Sequence, residues 1–409
     1  MSRLALLGGR AVRRKPFPRY NAIGKEEKRA AARVLDSGVL SDFVGAAGEK
    51  FLGGREVRAL EREWEAFFGV RHAVAMNSAT SGLNAALGVL GLKPGDEVIV
   101  SSYTMSASAT CAVVYGAVPV FADVEPDFFC LDPADVARKI TRRTRAIVAV
   151  DLAGQPAALD PLLALARRHG LCLVEDAAQA PGSRYRDRWA GTAAPLGVFS
   201  LNAHKTIQTG EGGIVVTSDD ALALKLRLIR NHAEAVVAGM PEAGEDLQRL
   251  YGWNYRMTEL EAAIGREQLK KLKRLNRERA DRVDYLNGKL RGILVPPEVR
   301  PGCTHVYYTH MLKIDPRALG ISRDVFVRAL RAEGVPAGAG YARPLYHLPL
   351  YRRRPAGGGT CAVAEKLFAE EVIVNTLIHP PLTRADLDDA ARAYEKVAEN
   401  AAALRKVRP

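Results

Sequence analysis

Short apolar runs alternate with helical patterns through the first part of the chain. The runs fall at residues 73–76, 97–100, 118–121, 146–150, 171–174 and 198–201. Because helix-length patterns lie between most of these runs, the alternation predicts an α/β fold with a mostly parallel sheet and helices on both of its faces. Sheets of this kind collect their chemistry at the carboxyl ends of the strands.

The pattern changes after about residue 258. Residues 258–290 are charged, free of proline and helical in period, which predicts one long helix or two with a bend. The elements expected after it are strands near 306–314 and 372–374 and helices near 323–333 and 384–404. We therefore predict a large domain over residues 1–265, including the N-terminal segment, and a smaller C-terminal α+β domain over residues 266–409.

Composition narrows the classes of protein that this chain can represent. It has 409 residues, a net charge of +13 and five scattered cysteines, none of them at metal-ligand spacing. No apolar run approaches the ~18 residues of a membrane helix. The scattered cysteines lead us to expect a reduced, cytoplasmic protein without a metal site. No nucleic-acid-binding motif accompanies the basic charge, and a solvated surface or an anionic small substrate accounts for it better.

A polar turn with a single lysine separates two apolar strands, predicted at residues 196–199 and 214–217. The turn contains Lys205 and ends in Gly210-Glu211-Gly212-Gly213. Burial there would lower the pKa of the Lys205 amine and make it nucleophilic, as a Schiff-base lysine requires. An ordinary hairpin lysine with its ammonium group in water is an equal alternative on this stretch alone.

Two further polar groups follow strands of the same predicted sheet. Ser78-Ala79-Thr80 opens a helix, where free backbone N–H groups can hold an anion, although a plain helix cap would use the same residues. Asp176 ends the fifth strand, where a carboxylate can pair with a cationic ring nitrogen or simply face solvent. Pyridoxal phosphate requires such a carboxylate, a phosphate site and a lysine, and Ser200 could add a hydroxyl to the phosphate site. The order of these groups along the chain therefore predicts this cofactor.

Four motifs carry a resemblance to a known family. They are Phe199-Ser200 with Lys205 and Gly210-Glu211-Gly212-Gly213, Glu175-Asp176-Ala177-Ala178-Gln179, Asn77-Ser78-Ala79-Thr80-Ser81-Gly82, and Asn254-Tyr255-Arg256-Met257. On these motifs the chain resembles the DegT/StrS-type sugar aminotransferases, over almost its whole length. The resemblance implies the fold-type I architecture of pyridoxal-phosphate enzymes, with a large domain on a mostly parallel central sheet and a smaller C-terminal domain.

The resemblance also assigns roles at the ring of the cofactor. It implies that Lys205 forms the Schiff base with pyridoxal phosphate and that Asp176 pairs with the pyridine nitrogen. Gln179 would lie near the ring and its hydroxyl group. Some family members are dehydratases in which a histidine replaces the lysine, so Lys205 favours transamination.

At the other end of the cofactor, the resemblance implies a phosphate site. The backbone of Ala79 and Thr80, together with Ser200, would hold the phosphate. Family members are homodimers with shared active sites, so Asn254 would reach this phosphate from the neighbouring subunit.

Three positions depart from the common family pattern. Met105 stands where many members stack a phenylalanine or tryptophan on the cofactor, Asp151 stands where a histidine often ends the strand, and Ala79 replaces a frequent glycine. The polarizable thioether of Met105 can still cover the cofactor ring.

Substrate contacts are also expected from the resemblance. Tyr346 and His347 lie in a loop that matches a family loop near the substrate, although a histidine packed in a Pro-rich turn fits equally well. His204, next to the lysine, is a third candidate. The resemblance implies transfer of an amino group from L-glutamate or L-glutamine to a keto sugar, preferably a nucleotide-linked one. A keto-cyclitol or other ketose of aminoglycoside-type pathways, and a non-catalytic cofactor-binding regulatory protein, stay as alternatives.

Overall fold

The computed structural model describes residues 3–240, 242–352 and 359–408. Its strands are β1 His72–Met76, β2 Glu97–Ser101, β3 Val118–Ala122, β4 Thr144–Val150, β5 Cys172–Asp176, β6 Arg184–Tyr185, β7 Arg188–Trp189, β8 Leu196–Ser200, β9 Gly213–Thr217, β10 His310–Lys313, β11 Ala337–Ala339 and β12 Val372–Asn375.

The α-helices of the described residues vary in length from one turn to 32 residues. They are α1 Lys25–Ser37, α2 Arg55–Phe68, α3 Ala79–Gly88, α4 Ala107–Val113, α5 Pro133–Lys139, α6 Leu159–His169, α7 Asp220–Arg230, α8 Ala233–Val237, α9 Glu245–Gln248, α10 Glu259–Leu290, α11 Pro316–Leu319, α12 Arg323–Ala332, α13 Pro349–Arg352, α14 Ala362–Lys366, α15 Arg384–Glu399 and α16 Ala401–Leu404.

The central sheet of the large domain has seven strands in the order β1-β9-β8-β5-β4-β2-β3. β9 is antiparallel to both of its neighbours, and the other strands all run in one direction. Strands such as β2 and β8 are buried along their whole length, which is why they read as continuous apolar runs. The predicted mostly parallel sheet flanked by helices is therefore confirmed.

The register of this sheet brings the polar ends of several strands to one edge. Met76 at the end of β1 and Ser200 at the end of β8 both pair with Gly213 at the start of β9. Asp176 is the last residue of β5, the other neighbour of β8. A Cβ atom on Gly213 would lie 2.5 Å from the Ala79 nitrogen, so a glycine is needed where β9 passes the start of α3.

A single helix, α10, joins the large domain to the small one. Its first turn is closed by reciprocal hydrogen bonds: the Glu261 N–H donates to Oγ1 of Thr258 (3.2 Å), and the Thr258 N–H donates to the Glu261 carboxylate (2.9 Å). The helix then continues without a break for 32 residues, so the structure has the first of the two alternatives that the sequence left open, a single long helix. Residue 265 lies inside α10, and the domain boundary placed there stays a prediction.

The small domain is built on a three-stranded antiparallel sheet in the order β10-β12-β11. Its core includes Phe326 of α12, Tyr394 of α15 and Leu286 near the end of α10. Leu4 is 1% exposed and packs in this same core, so the first residues of the chain contact the small domain although the sequence assigns them to the large one.

Two predicted elements of the small domain differ from the structure. The strand expected at residues 306–314 is reduced to β10, because Tyr307 has a φ of +50°, which is incompatible with a strand. The helix expected at residues 384–404 is divided at Asn400, whose side chain donates to the Lys396 carbonyl (2.8 Å) and ends α15. Among the described residues, no helix combines the length and apolar composition needed to cross a membrane.

Candidate active site

A cavity of about 230 Å³ opens where the ends of β1, β5 and β8 meet. Eight residues that the sequence singles out line it: Ala79, Thr80, Met105, Asp176, Gln179, Ser200, His204 and Lys205. Side chains that the sequence did not single out line it as well, among them Thr104 and Ser108. The fold therefore gathers side chains from distant parts of the large domain around one space.

The Lys205 side chain is held in this cavity away from water. The residue is 9% exposed, and its Nζ lies 4.4 Å from the centre of the Tyr308 ring. Burial lowers the pKa of Lys205 from 10.5 to about 8, although the charge of Asp176 opposes the shift. The shift corresponds to about 3 kcal/mol, whereas a cation–π contact contributes roughly 0.5–2 kcal/mol, so burial dominates. A hairpin lysine in open water does not fit this geometry.

Asp176 faces the same cavity and is held in place by two donors. The Ser108 hydroxyl donates to Oδ2 (2.8 Å), and the Ala178 N–H donates to Oδ1 (3.2 Å). Burial nevertheless raises the pKa of Asp176, against the effects of these donors and of Lys205. Since the pKa values of both Asp176 and Lys205 shift away from the charged forms, desolvation exceeds their mutual attraction. The cavity therefore favours a cationic group that can pair with the carboxylate.

Gln179 forms the wall beside Asp176, and both ends of its amide are fixed. Oε1 accepts a hydrogen bond from the Ala153 N–H (2.8 Å), and Nε2 donates to the Tyr341 hydroxyl (2.8 Å). Tyr341 belongs to the small domain, and its own N–H donates to the Tyr103 hydroxyl (3.1 Å). Gln179 thus connects the sheet edge with the small domain.

Asp151, which stands where a histidine is common in the resembling family, is fully buried at the end of β4. Its Oδ1 accepts a hydrogen bond from the Ala157 N–H (2.8 Å), which closes the turn that follows the strand. Burial and the neighbouring Glu175 raise the pKa of Asp151 well above its ordinary value. The residue is therefore part of the structure that supports the Gln179 contact, and it does not line the cavity.

The start of α3 forms another part of the cavity wall. Ser78 caps this helix, because its Oγ accepts a hydrogen bond from the Ser81 N–H (3.1 Å). The cap does not use the N–H groups of Ala79 and Thr80, which stay available at the positive end of the helix dipole. Ser200 adds a hydroxyl at the end of β8. This part of the cavity is suited to a phosphate group.

The model of the DegT/DnrJ/EryC1/StrS aminotransferase family matches residues 23–395. This chain belongs to that family. GDP-perosamine synthase of Caulobacter vibrioides is 36% identical over 355 residues, which cover 84% of this chain and 90% of the relative.

Solved structures of family members have the same fold. An aminotransferase from Psychrobacter cryohalolentis has a TM-score of 0.85 at 30% identity, and the match covers 95% of this chain and 100% of that one. DesI, solved in the presence of its TDP-sugar product, has a TM-score of 0.84 at 31% identity, with 99% and 97% of the two chains covered. As a member of this family, the chain is a pyridoxal-phosphate-dependent aminotransferase.

The cavity of this member fits the family cofactor. Oγ1 of Thr104 lies on the cavity wall, is buried, and has no hydrogen-bond partner in the described part of the chain. A buried hydroxyl oxygen of this kind costs free energy unless a ligand forms a hydrogen bond with it. Asp176 is suited to a protonated pyridine nitrogen, the start of α3 to a phosphate, and Lys205 to an aldehyde.

Met105 and His204 lie at the open side of the cavity. Met105 is 64% exposed, so its thioether is free to cover a bound ring from solvent. Partial burial and the charge of Lys205 lower the pKa of His204, which keeps its imidazole neutral at pH 7. Both residues are therefore candidates for contact with the cofactor or with a substrate that enters here.

Three predicted residues do not line the cavity of their own chain. Oδ1 of Asn254 accepts a hydrogen bond from Nε of Arg256 (2.9 Å). The Tyr346 hydroxyl donates to Oε1 of Glu365 (2.7 Å), and Nε2 of His347 lies 3.3 Å from the same oxygen. Their functional roles therefore stay predictions.

Four residues at the site were missed by the sequence. Ser108 and Thr104 follow β2, so the rule that chemistry collects at strand ends would have found them. Tyr308 and Tyr341 reach the cavity from the small domain. Tyr341 lies in the loop that matches a family loop near the substrate, but no local pattern marks the contacts of these two tyrosines, because those contacts depend on how the two domains pack.

Proposed function

We propose that Lys205 is the Schiff-base and proton-transfer residue of an aminotransferase that acts on a keto sugar, with L-glutamate or L-glutamine as the amino donor. The observation that carries this proposal is the cavity that Lys205, Asp176 and the start of α3 line together. A lysine whose pKa is about 8 has a substantial neutral fraction near pH 7.5, which nucleophilic attack requires.

Each residue of the cavity has a defined task in this proposal. Bound pyridoxal phosphate supplies an electron sink for the carbanion that forms when the donor loses its α-proton. Asp176, held by Ser108, pairs with the ring nitrogen and keeps that nitrogen protonated. The N–H groups of Ala79 and Thr80, with the Ser200 hydroxyl, hold the phosphate. Met105 and Gln179, which line the cavity, would contact the ring.

Lys205 also moves the proton. With cofactor and donor bound, its Nζ would be a free base in a dry cavity and would remove the proton from the α-carbon of the donor. The same amine would then act as the general acid that returns a proton. In the second half of the reaction these proton transfers run in reverse, and the keto carbon of the sugar receives the amino group.

A nucleotide-linked keto sugar is the substrate class that we propose. The relatives support it, since one is named for a GDP-sugar and another was solved with a TDP-sugar product. The net charge of +13 also suits a substrate that carries a diphosphate. His204, which lines the cavity, is the proposed contact with the substrate, and Tyr346 and His347, which bind Glu365, stay the alternative candidates from the resemblance.

The substrate class can be tested by single-turnover spectroscopy. The loaded protein is first converted to its amino form with L-glutamate or, separately, with L-glutamine, and the donor that gives the faster spectral change is identified. A nucleotide-linked keto sugar is then expected to reverse the change at least about 100-fold more efficiently than the free sugar, because remote binding energy lowers the barrier. Equal efficiency with a free ketose or a keto-cyclitol would reject the nucleotide-linked class.

We further propose a cytoplasmic homodimer in which Asn254 serves the cavity of its partner. Asn254 does not line its own cavity, and the neighbouring Tyr251 and Trp253 are 51% and 37% exposed, as expected for residues that a second subunit covers. Mixing Lys205→Ala with Asn254→Ala subunits should restore activity, since one site per mixed dimer keeps both side chains. If mass spectrometry detects mixed dimers but activity is not restored, Asn254 acts in the site of its own chain or in no site.

A further inference from the structure

A buried arginine lies near the lysine turn and has no carboxylate partner among the described residues. Arg279 of α10 is 3% exposed, and its partners are neutral. Its Nη1 donates to the backbone carbonyls of Tyr307 (3.3 Å) and Tyr308 (3.4 Å), and its guanidinium lies 4.8 Å from the centre of the Tyr20 ring. Its Nε has no hydrogen-bond partner in the described part of the chain. A buried cation without an anionic partner costs stability, so we expect Arg279 to have a role other than stabilising the fold.

The partners of Arg279 lead to Lys205 along two routes. The first is the segment before β10, where Tyr307 has a φ of +50° and the Tyr308 ring faces Nζ of Lys205 at 4.4 Å. Arg279 binds the carbonyls of both tyrosines, so it holds this strained turn in place. The second route is Tyr20, whose hydroxyl donates to the carbonyl of Thr206, the residue that follows Lys205.

We propose that Arg279 is a positioning residue for Lys205, which it fixes through the Tyr308 ring above the amine and through Tyr20 on the adjoining peptide. The role as a positioning residue rests on the proposed function of Lys205. Because α10 joins the two domains, this arrangement couples the geometry of the lysine turn to the seating of the small domain.

The arrangement has a measurable consequence for the amine. The titratable side chains that line the cavity with Lys205 or face its amine are Asp176, His204, Glu211 and Tyr308, and burial is the main cause of its lowered pKa. If the Tyr308 ring moves away, water reaches Nζ and the pKa of Lys205 rises toward its ordinary value. Loss of Arg279 should have the same effect, because the turn that carries the ring is released.

The test measures acetylation of Lys205 by acetic anhydride in cofactor-free protein between pH 6 and pH 11, by mass spectrometry of the peptide. Arg279→Gln and Tyr308→Leu should each raise the midpoint of labelling by about one pH unit. Tyr20→Phe should raise it less, since the Tyr308 ring stays in place at Nζ of Lys205 and only the hydrogen bond to the Thr206 carbonyl is lost. Tyr308→Phe keeps the ring and should leave the midpoint unchanged.

Arg282→Gln is the matched control on the same helix, because Arg282 binds the Leu382 carbonyl (3.1 Å) and not the lysine turn. Its midpoint should equal that of the unaltered protein. If Arg279→Gln does not fold, Arg279→Lys replaces it; this variant keeps the charge but not the planar fork, and it should raise the midpoint by a smaller amount. An unchanged midpoint in the folded Arg279 variant overturns the proposal. The readout needs no cofactor, so it fails independently of the proposed aminotransferase chemistry.

Discussion

The lysine turn after β8 and the loop at residues 341–347 both carry side chains that the sequence marks as functional, yet the structure uses them differently. Lys205 lies in the cavity together with the other cofactor residues. Tyr346 and His347 instead bind Glu365, and it is Tyr341 of the same loop that reaches the site through Gln179. The register of a parallel sheet fixes the groups at its edge, whereas the groups of a loop depend on what the loop packs against.

The two regions also differ in electrostatics. In the cavity, burial shifts the pKa values of Lys205 and Asp176 in the directions that disfavour the charged forms of these residues. The site therefore favours a ligand that carries a charge. In the loop, Glu365 and His347 are about 40% and 37% exposed, where ion pairs contribute little. Substitutions should therefore have large effects in the cavity and small effects in the loop.

The largest effect is expected for Lys205→Ala. This change removes both the nucleophile and the base, so kcat should fall by about 10⁴-fold or more, and reduction should no longer attach the cofactor to the protein. The measurement is the rate of the spectral change on addition of L-glutamate. Lys28→Ala, at an exposed position of α1, is the control, and transamination retained at near wild-type rates in Lys205→Ala would refute the role of the lysine.

Asp176→Asn should come next. The variant should bind the cofactor but lose about 10²- to 10³-fold in kcat, because an amide cannot keep the ring nitrogen protonated. Ser108→Ala should lose less, about 10-fold, since it removes a single hydrogen bond to the carboxylate. Equilibrium dialysis of the cofactor separates binding from catalysis. Near wild-type rates in Asp176→Asn would contradict the pairing with the pyridine nitrogen.

Lys205→Met should change stability in a pH-dependent way. The pKa of Lys205 is about 8 in the folded protein and 10.5 when exposed, so below pH 8 the folded state bears the full cost of a buried charge. That cost falls as pH rises from 8 to 10.5, because only the folded state loses its proton. In denaturant unfolding, cofactor-free Lys205→Met should therefore have a larger free energy of unfolding than the unaltered protein. This excess should be about 3 kcal/mol greater at pH 7 than near pH 10.5. A difference that does not depend on pH would show that the lysine is not desolvated.

Tyr341→Phe and Tyr346→Phe give the smallest effects and compare the two parts of the loop directly. Loss of the Tyr341 hydroxyl frees the Gln179 amide and should lower kcat several-fold. This loss corresponds to about 1 kcal/mol in the activation free energy. Loss of the Tyr346 hydroxyl breaks its bond to Glu365 and should reduce stability by a similar amount. If Tyr346→Phe instead raises KM for the keto sugar without loss of stability, the loop contacts the substrate as the sequence suggests.

Much of the large domain could be predicted from the sequence for a physical reason. Fully buried strands read as apolar runs, and the residues just after them, such as Ser78 and Lys205, must come together at one edge of a parallel sheet. The contact of Tyr308 with Lys205 could not be predicted, because it depends on a strained turn at Tyr307 and on the seating of the small domain. The division of the last helix at Asn400 depends on a single side-chain contact, which periodicity does not reveal.

The most direct test of the account is to locate the covalent link to the cofactor. The protein is loaded with pyridoxal phosphate, reduced with borohydride, digested and analysed by mass spectrometry. We predict a phosphopyridoxyl group on Lys205, and none when Lys205→Ala is treated in the same way. A group attached to another lysine, or complete loading without attachment at Lys205, would contradict the central claim.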